Sequence, residues 1–290
     1  MTIAQSFQEI LRRIQPTQAE IAAAEQHVAT IKSRLTSAFT LKKYFKAGSY
    51  GRDTFIGGKS DVDVFAVVSR DDVRWGSGYV ASTTVLDNFR KELEGRFWNT
   101  PVYRDIHSIE VEFNDCRVDV VPAFFAGMTP NNWPLYYMPD GSGSWMKTTP
   151  ELHDLYIRQE DRTAGGKIRS ISRLLKFWRE CRSPRVPVSS FHIEVVLASE
   201  GICKGVKSYA QCVTEILQQL AQRECRALHD PLGLSGNITA VKTESKREAA
   251  LTSVKYSRDH AKAALQAEAW GDIPESRRQW DIVFNGSFPW

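Results

Sequence analysis

Two periods of apolar residues run through this chain. From Thr17 onward, Ile21, Val28, Ile31, Leu35 and Phe39 fall on one stripe of a helix. Thr17 and Glu20 follow Pro16 as Thr-x-x-Glu, a capping box that marks the helix start. The predicted helix has about 25 residues, long enough to serve as a spine along two lobes. Near residue 62 the period shortens to two, with Val62 and Val64 alternating with Asp61 and Asp63. A hairpin is predicted from Ser108 to Ala123, turning at Asn114-Asp115. Ile109, Val111 and Phe113 share a face of its first arm, and Val118 and Val120 oppose Arg117, Asp119 and Val121 in its second.

Pro, Gly, Ser and Asn accumulate between Asn131 and Pro150, and beyond them the patterns are helical. Lys167 to Cys181 puts Ile168, Ile171, Leu174, Leu175 and Trp178 on one face and Arg169, Arg173 and Lys176 on the other. Further helices are predicted over 191–203, 206–226 and 246–270, with Tyr209, Val213, Ile216, Leu217 and Leu220 on the core side of the second. The expected organisation is α+β: a strand-and-helix domain over 1–150 and a helical domain over 151–290.

Composition changes this picture little. With 290 residues, 42% apolar and 25% charged, the chain is long enough for two lobes and apolar enough for a packed core. No apolar run approaches the roughly 18 residues of a membrane span, and the start lacks the order of a secretory signal, so a cytoplasmic protein without membrane contact is expected. The five cysteines are odd in number, widely spaced and without a CxxC pair, which predicts reduced core thiols. Trp133, Trp145, Trp178, Trp270, Trp280 and Trp290 read as packing residues rather than a stacking platform. A formal charge of +4 permits triphosphates or nucleic acid as ligands and requires neither.

The candidate chemistry lies in Gly48-Ser49-Tyr50-Gly51-Arg52-Asp53-Thr54 and, after a loop containing Gly57-Gly58, Ser60-Asp61-Val62-Asp63-Val64. Residues two apart on a strand point the same way, so Asp61 and Asp63 present paired carboxylates. Such a pair repels itself unless cations neutralise it, as Mg²⁺ does among hard oxygen ligands. Asp119 would complete a site for two ions if its strand neighbours the first. Gly48 lets the backbone approach a phosphate, and Ser49 adds a hydroxyl beside main-chain N–H groups. Arg52 and Thr54 offer further contacts.

Gly-Ser, a spacer, Asp-x-Asp and a distant third Asp resemble the DNA polymerase β-like nucleotidyltransferase superfamily. Across nearly the whole chain, GSYGRDTFIGGKSDVDVF, CRVDVVPAF, LLKFWRE, SSFHIEVV, the Asp230-Pro231-Leu232-Gly233 turn and the closing FNGSFPW resemble the bacterial cGAS/DncV-like nucleotidyltransferases (CD-NTases, SMODS-type). The resemblance implies a polymerase β-like core with a mixed β-sheet, a long N-terminal spine helix and a C-terminal helical domain closing the nucleotide site. It implies Asp61, Asp63 and Asp119 as metal ligands and catalytic residues for two Mg²⁺ ions, with Mn²⁺ as an alternative. By the same resemblance Lys176 would reach the donor triphosphate, and Ser190 and Phe191 would line the base pocket.

The activity it implies is template-independent synthesis of a cyclic di- or trinucleotide second messenger from nucleoside triphosphates in anti-phage (CBASS) signalling, with a regulatory protein partner as an option. The chain has neither a zinc-ribbon cysteine cluster nor a dense basic stripe, so direct activation by DNA is not expected. His192 beside the base pocket reads as structural, and Asp230 to Asn237 as either a lid or a plain loop. The three acids alone leave open a linear oligoadenylate-type synthase, an RNA- or protein-modifying nucleotidyltransferase, and a catalytically silent nucleotide-binding protein.

Overall fold

The structure, a computed structural model, describes residues 1–58 and 61–290; Lys59 and Ser60, in the loop that precedes Asp61, lie outside the described residues. In chain order the elements begin with α1 (Ile3–Arg13), α2 (Gln18–Ala38), β1 (Leu41–Ala47), the single turn α3 (Gly48–Gly51) and β2 (Asp61–Val68). A small ribbon of β3 (Arg74–Trp75) and β4 (Gly78–Tyr79) leads to α4 (Ser82–Arg96), β5 (Val102–Arg104), β6 (Ile109–Glu112), β7 (Arg117–Met128), β8 (Pro134–Pro139) and β9 (Trp145–Thr148). There follow α5 (Pro150–Thr163), α6 (Lys167–Glu180), α7 (Ser190–Ser199), α8 (Tyr209–Gln222), β10 (Leu228–His229), β11 (Asn237–Ile238), α9 (Glu244–Ala269) and α10 (Ile273–Val283).

The chain forms two compact units, Pro16–Leu155 and Met1–Gln15 with Tyr156–Trp290. The sequence expectation of a first domain over 1–150 differs most at the N-terminus, where the first fifteen residues belong to the helical unit. The reason is aromatic packing. Phe7 of α1 meets Trp280, Phe288 and Phe284 edge-on, with ring centroids 4.9, 5.2 and 5.9 Å away. Ile3, Phe7, Ile10 and Ile14 form the buried stripe of α1, and Thr2 and Gln5 close a capping box at its start. The helix expected as a spine for both lobes is α2, which belongs to the sheet unit. It starts at the predicted box, where the Glu20 N–H donates to Thr17 Oγ1 at 3.2 Å and the Thr17 N–H donates to Glu20 Oε2 at 2.7 Å.

The sheet unit holds a seven-stranded mixed sheet in the order β1-β2-β7-β6-β5, extended by β8 on β7 and β9 on β8. Among the described residues, only β2 and β7 pair in parallel, over eight residue pairs from Asp61↔Arg117 to Val68↔Phe124. The predicted hairpin is present as antiparallel β6 and β7, with Glu110 opposite Asp119. One sheet face carries Val62, Val64, Ala66, Val118, Val120, Ile109 and Val111, all buried against Val28, Ile31 and Leu35 of α2 and Val85, Leu86, Phe89 and Leu93 of α4. The opposite face carries a smaller apolar cluster around Phe65, Val67, Val121, Ala123 and Tyr136. At the end of that face where β2 begins, polar residues take over, and the candidate site lies there.

In the helical unit, the predicted apolar face of α6 (Ile168, Ile171, Leu174, Leu175 and Trp178) is fully buried, and the Trp178 Nε1–H donates to Ser257 Oγ at 2.9 Å. Trp280 is equally buried, whereas Trp270 and Trp290 are exposed at 78% and 62%, which departs from the reading of these two as packing residues. Among the described residues, no helix is long and apolar enough to cross a membrane.

Candidate metal and nucleotide site

Residues paired across neighbouring strands share a sheet face, so the register decides what meets what. Asp61 lies opposite Arg117, and Asp63 opposite Asp119, in the parallel β2–β7 pair. On the other side of β7, Glu110 lies opposite Asp119 and Glu112 opposite Arg117. The strand expected to bring Asp119 beside the Asp61/Asp63 pair therefore does so directly.

A concentration of carboxylates on one sheet end needs compensating charge, and Arg117 supplies it. Its Nη2 pairs with Asp61 Oδ2, its Nη1 lies 3.4 Å from Glu110 Oε2, and its Nε lies 3.5 Å from Asp119 Oδ1. Burial would favour loss of the guanidinium proton, but Asp61, Asp119 and Glu110 more than reverse this and hold it more firmly than usual. Arg117 stands two residues before Asp119 on the same face, so the strand period exposed its direction; its role as counter-ion needed Asp61 and Glu110 in place as well.

The Asp119 carboxyl is pushed up to about 8, first by burial and then by the charges of Asp63 and Asp61, with Arg117 opposing. One oxygen, Oδ1, is buried without a hydrogen-bond partner. A buried carboxylate oxygen that faces two further carboxylates, with only the 3.5 Å ion pair to Arg117 Nε and no hydrogen bond, fits a hard divalent cation. Asp61, Asp63 and Asp119 are the residues that would hold it.

Gly48 serves this arrangement in a way the sequence did not show. Its φ of +59° is left-handed, and a Cβ placed on it would meet Asp63 Oδ2 at 2.0 Å. The glycine was expected to admit a phosphate; the described contact is with the Asp63 carboxylate. Ser49 follows on α3, its Oγ 3.5 Å from the Asp61 carbonyl oxygen. Glu25 of α2 steadies the turn, accepting from the Tyr50 hydroxyl at 2.7 Å and pairing with Lys46, which together lower its carboxyl. Arg52 and Thr54, read as further ligand contacts, have structural partners: Arg52 is buried and paired with Asp154, and the Thr54 N–H donates to the Ser49 carbonyl at 2.9 Å.

The remaining predicted residues lie in the helical unit. Lys176 was placed on the polar face of its helix, but it is buried, with Nζ 3.6 Å from Glu194 Oε1 on the neighbouring α7. Two adjoining helices cover the border of that face, and the lysine answers a buried carboxylate. Ser190 opens α7 and accepts from Arg179 Nη1, while Phe191 is half-buried. His192 is buried, and its Nδ1 lies 3.2 Å from the Ile238 carbonyl oxygen. Burial above all drops its pKa to about 4, so the ring is neutral and its role is structural. Asp230 is also buried and accepts the N–H groups of Leu232, Leu234 and Ser235 at 2.8–3.0 Å. It thus organises the turn between β10 and β11 as an Asx-type loop.

The geometry can be set beside known proteins. Residues 1–160 match the Second Messenger Oligonucleotide or Dinucleotide Synthetase domain (SMODS). The cyclic AMP-AMP-AMP synthase of Escherichia coli (strain MS 115-1) is 24% identical over 282 residues, covering 86% of this chain and 84% of that protein. Among solved structures, E. coli MS115-1 CdnC, determined with ATP and also as a complex with HORMA-deltaN, superposes with a TM-score of 0.73 at 21% identity, covering 99% of this chain and 98% of that one. The 3′-deoxy GTP-bound form of E. coli DncV gives a TM-score of 0.70 at 13% identity, covering 95% of this chain and 93% of that one. These likenesses show the polymerase β-like α+β fold of the DncV and CdnC structures. The match over residues 1–160 shows the rest: the chain is a nucleotidyltransferase of the second messenger oligonucleotide or dinucleotide synthetase family, the CD-NTases.

Proposed function

We propose that this chain joins nucleoside triphosphates, without primer or template, into a cyclic di- or trinucleotide messenger for anti-phage (CBASS) signalling in the cytoplasm. Asp61, Asp63 and Asp119 hold two divalent ions in this reading, Mg²⁺ ordinarily and Mn²⁺ as a substitute. The observation that carries it is the β2–β7 register, which sets Asp63 against Asp119, with Asp119 Oδ1 buried and not hydrogen-bonded.

Bound divalent ions would neutralise the donor triphosphate and acidify the acceptor's ribose hydroxyl. With the ions held, Asp119 would be unprotonated and would accept the proton of that hydroxyl. Arg117 would keep its pair with Glu110 where Asp61 turns to the site. The acceptor oxygen bonds to the α-phosphorus in line, the bond to pyrophosphate breaks, and Ser49 with Lys176 stabilises the leaving charge. Ser190 and Phe191 border the base. A second transfer within the linear intermediate closes the ring, favoured by its high effective concentration at the site. The solved complex of CdnC with HORMA-deltaN supports a regulatory protein partner for this chain as well. No role for DNA is included.

The test is incubation with all four triphosphates and Mg²⁺, followed by mass spectrometry before and after phosphatase. A ring has no terminal phosphate and keeps its mass. Conversion of most product to species with free 5′ hydroxyls would make the enzyme a linear synthase and overturn the cyclase reading.

A further inference from the structure

We propose that His27, Asp115 and Cys116 form a separate metal site for a thiolate-preferring divalent cation of the Zn²⁺ class, which pins α2 to the turn between β6 and β7. His27 is far in sequence from the adjacent pair it meets: it lies on α2, while Asp115 and Cys116 lie between Glu112 and Arg117. In the fold, their ligating atoms all lie within 4.8 Å of one another. His27 Nε2 and Asp115 Oδ1 are already 2.9 Å apart.

The spacing suits a small tetrahedral ion. Zn–N and Zn–O bonds of about 2.0–2.1 Å and a Zn–S bond of about 2.3 Å put neighbouring ligand atoms roughly 3.3–3.6 Å apart. That lies between the closest and widest separations found here, so side-chain adjustment alone closes the shell. The imidazole is held for the task, because its ring stacks on Phe113 at 3.7 Å with planes 12° apart. Phe113 in turn packs edge-on against Phe97 at 5.3 Å. Such support is what fixes a ligating histidine.

The donor set selects the ion. A thiol, an imidazole and one carboxylate favour zinc over magnesium or calcium, which take oxygen ligands. Asp115 is 46% exposed, so an ion can enter and a water can complete the fourth position. Without a cation, burial, Asp115 and Asp61 keep the Cys116 thiol protonated. Binding replaces that proton with the metal and releases one H⁺ to the buffer. The turn so pinned leads into Arg117, the counter-ion of the carboxylate site.

The test is cobalt titration of the full chain after chelator stripping, with Co²⁺ as the coloured stand-in for Zn²⁺. A near-ultraviolet thiolate-to-cobalt charge-transfer band should saturate at one equivalent, and Zn²⁺ should displace it. Cys116→Ser should remove the band, and His27→Gln should weaken Co²⁺ binding at least about tenfold. Both changes are conservative, and the melting of each stripped variant reports folding separately. The Asp61→Asn, Asp63→Asn, Asp119→Asn triple variant should keep the band, which separates this site from the proposed catalytic one. No charge-transfer band in the unmutated protein, a band that survives Cys116→Ser, or binding unchanged by His27→Gln would each overturn the proposal.

Discussion

Gly48 and Asp63 occupy one space: the carboxylate leans over a Cα whose missing Cβ would lie 2.0 Å from Oδ2. Gly48→Ala would therefore displace Asp63 as well as strain a φ of +59°. The expected cost is about 1–3 kcal/mol of stability and, through the misplaced ligand, about a hundredfold or more in pyrophosphate release. Gly76→Ala is the control, with a φ of +58° and open space around the new Cβ. It should show a backbone cost alone, and equal activity loss in both variants would mean that the contact with Asp63 does not matter.

Asp61 and Asp63, two ligands of the proposed ions, act on different neighbours. Asp63 raises the Asp119 carboxyl by repulsion, so Asp63→Asn should bring that carboxyl down toward its ordinary range, read by its NMR titration in the metal-free protein. Asp61 pairs with Arg117, so Asp61→Asn should lower the melting temperature. With a partly exposed pair, the loss should be on the order of 1 kcal/mol. Both variants should lose pyrophosphate release and the Mg²⁺-dependent rise in melting temperature expected of the unmutated chain. Wild-type turnover by the double variant would end the two-metal reading.

Lys176→Ala would take away the cation 3.6 Å from the buried Glu194, and the expected outcome is a lower melting temperature. Activity of that variant alone therefore cannot separate a phosphate contact from folding. Lys176→Met with Glu194→Gln removes both charges and should recover most of the melting temperature. If the lysine also meets the donor triphosphate, this pair keeps a raised KM for ATP; restored stability with an unchanged KM would make Lys176 purely structural.

His192 sets an acid limit. Its pKa falls from 6.5 to about 4 in the fold, so the unfolded chain takes up the proton first as pH drops. Stability from the neutral ring is present above 6.5 and is lost as pH falls toward 4. The depression is worth about 3 kcal/mol. His192→Asn can still donate to the Ile238 carbonyl, and its melting temperature should vary less with pH across this window. Parallel pH profiles for the two proteins would refute the assignment.

Local chemistry was the part of the fold open to sequence reading. The Thr17–Glu20 box, the alternation through Asp61 to Val64, the hairpin and the apolar face of α6 each depend on residues a few positions apart. What escaped depends on partners distant in sequence. Helix α1 is held by Phe7 against Trp280, Phe284 and Phe288. Strand β1 contains Lys42, Lys43 and Lys46 and reads as polar, yet it pairs with β2 at the sheet edge, a place where lysines are tolerated. Lys176 looked solvated because Glu194 belongs to another helix. For the candidate site, the acids and the Gly-Ser turn were legible from types and spacing. Arg117 as counter-ion, Gly48 as a seat for Asp63, and the meeting of His27 with Cys116 required the register of a folded sheet.

The carboxylates also stand on inner strands, which are shielded from fraying. β2 and β7 have hydrogen-bonded neighbours on both sides, and between them runs the ladder of eight residue pairs. Amides of such inner strands exchange with solvent only through large-scale opening, whereas edges and turns open locally. Val62, Val64, Val118 and Val120 should thus hold their deuterium-exchange protection longest in the sheet unit, and the spacing of Asp61, Asp63 and Asp119 persists for as long as they do.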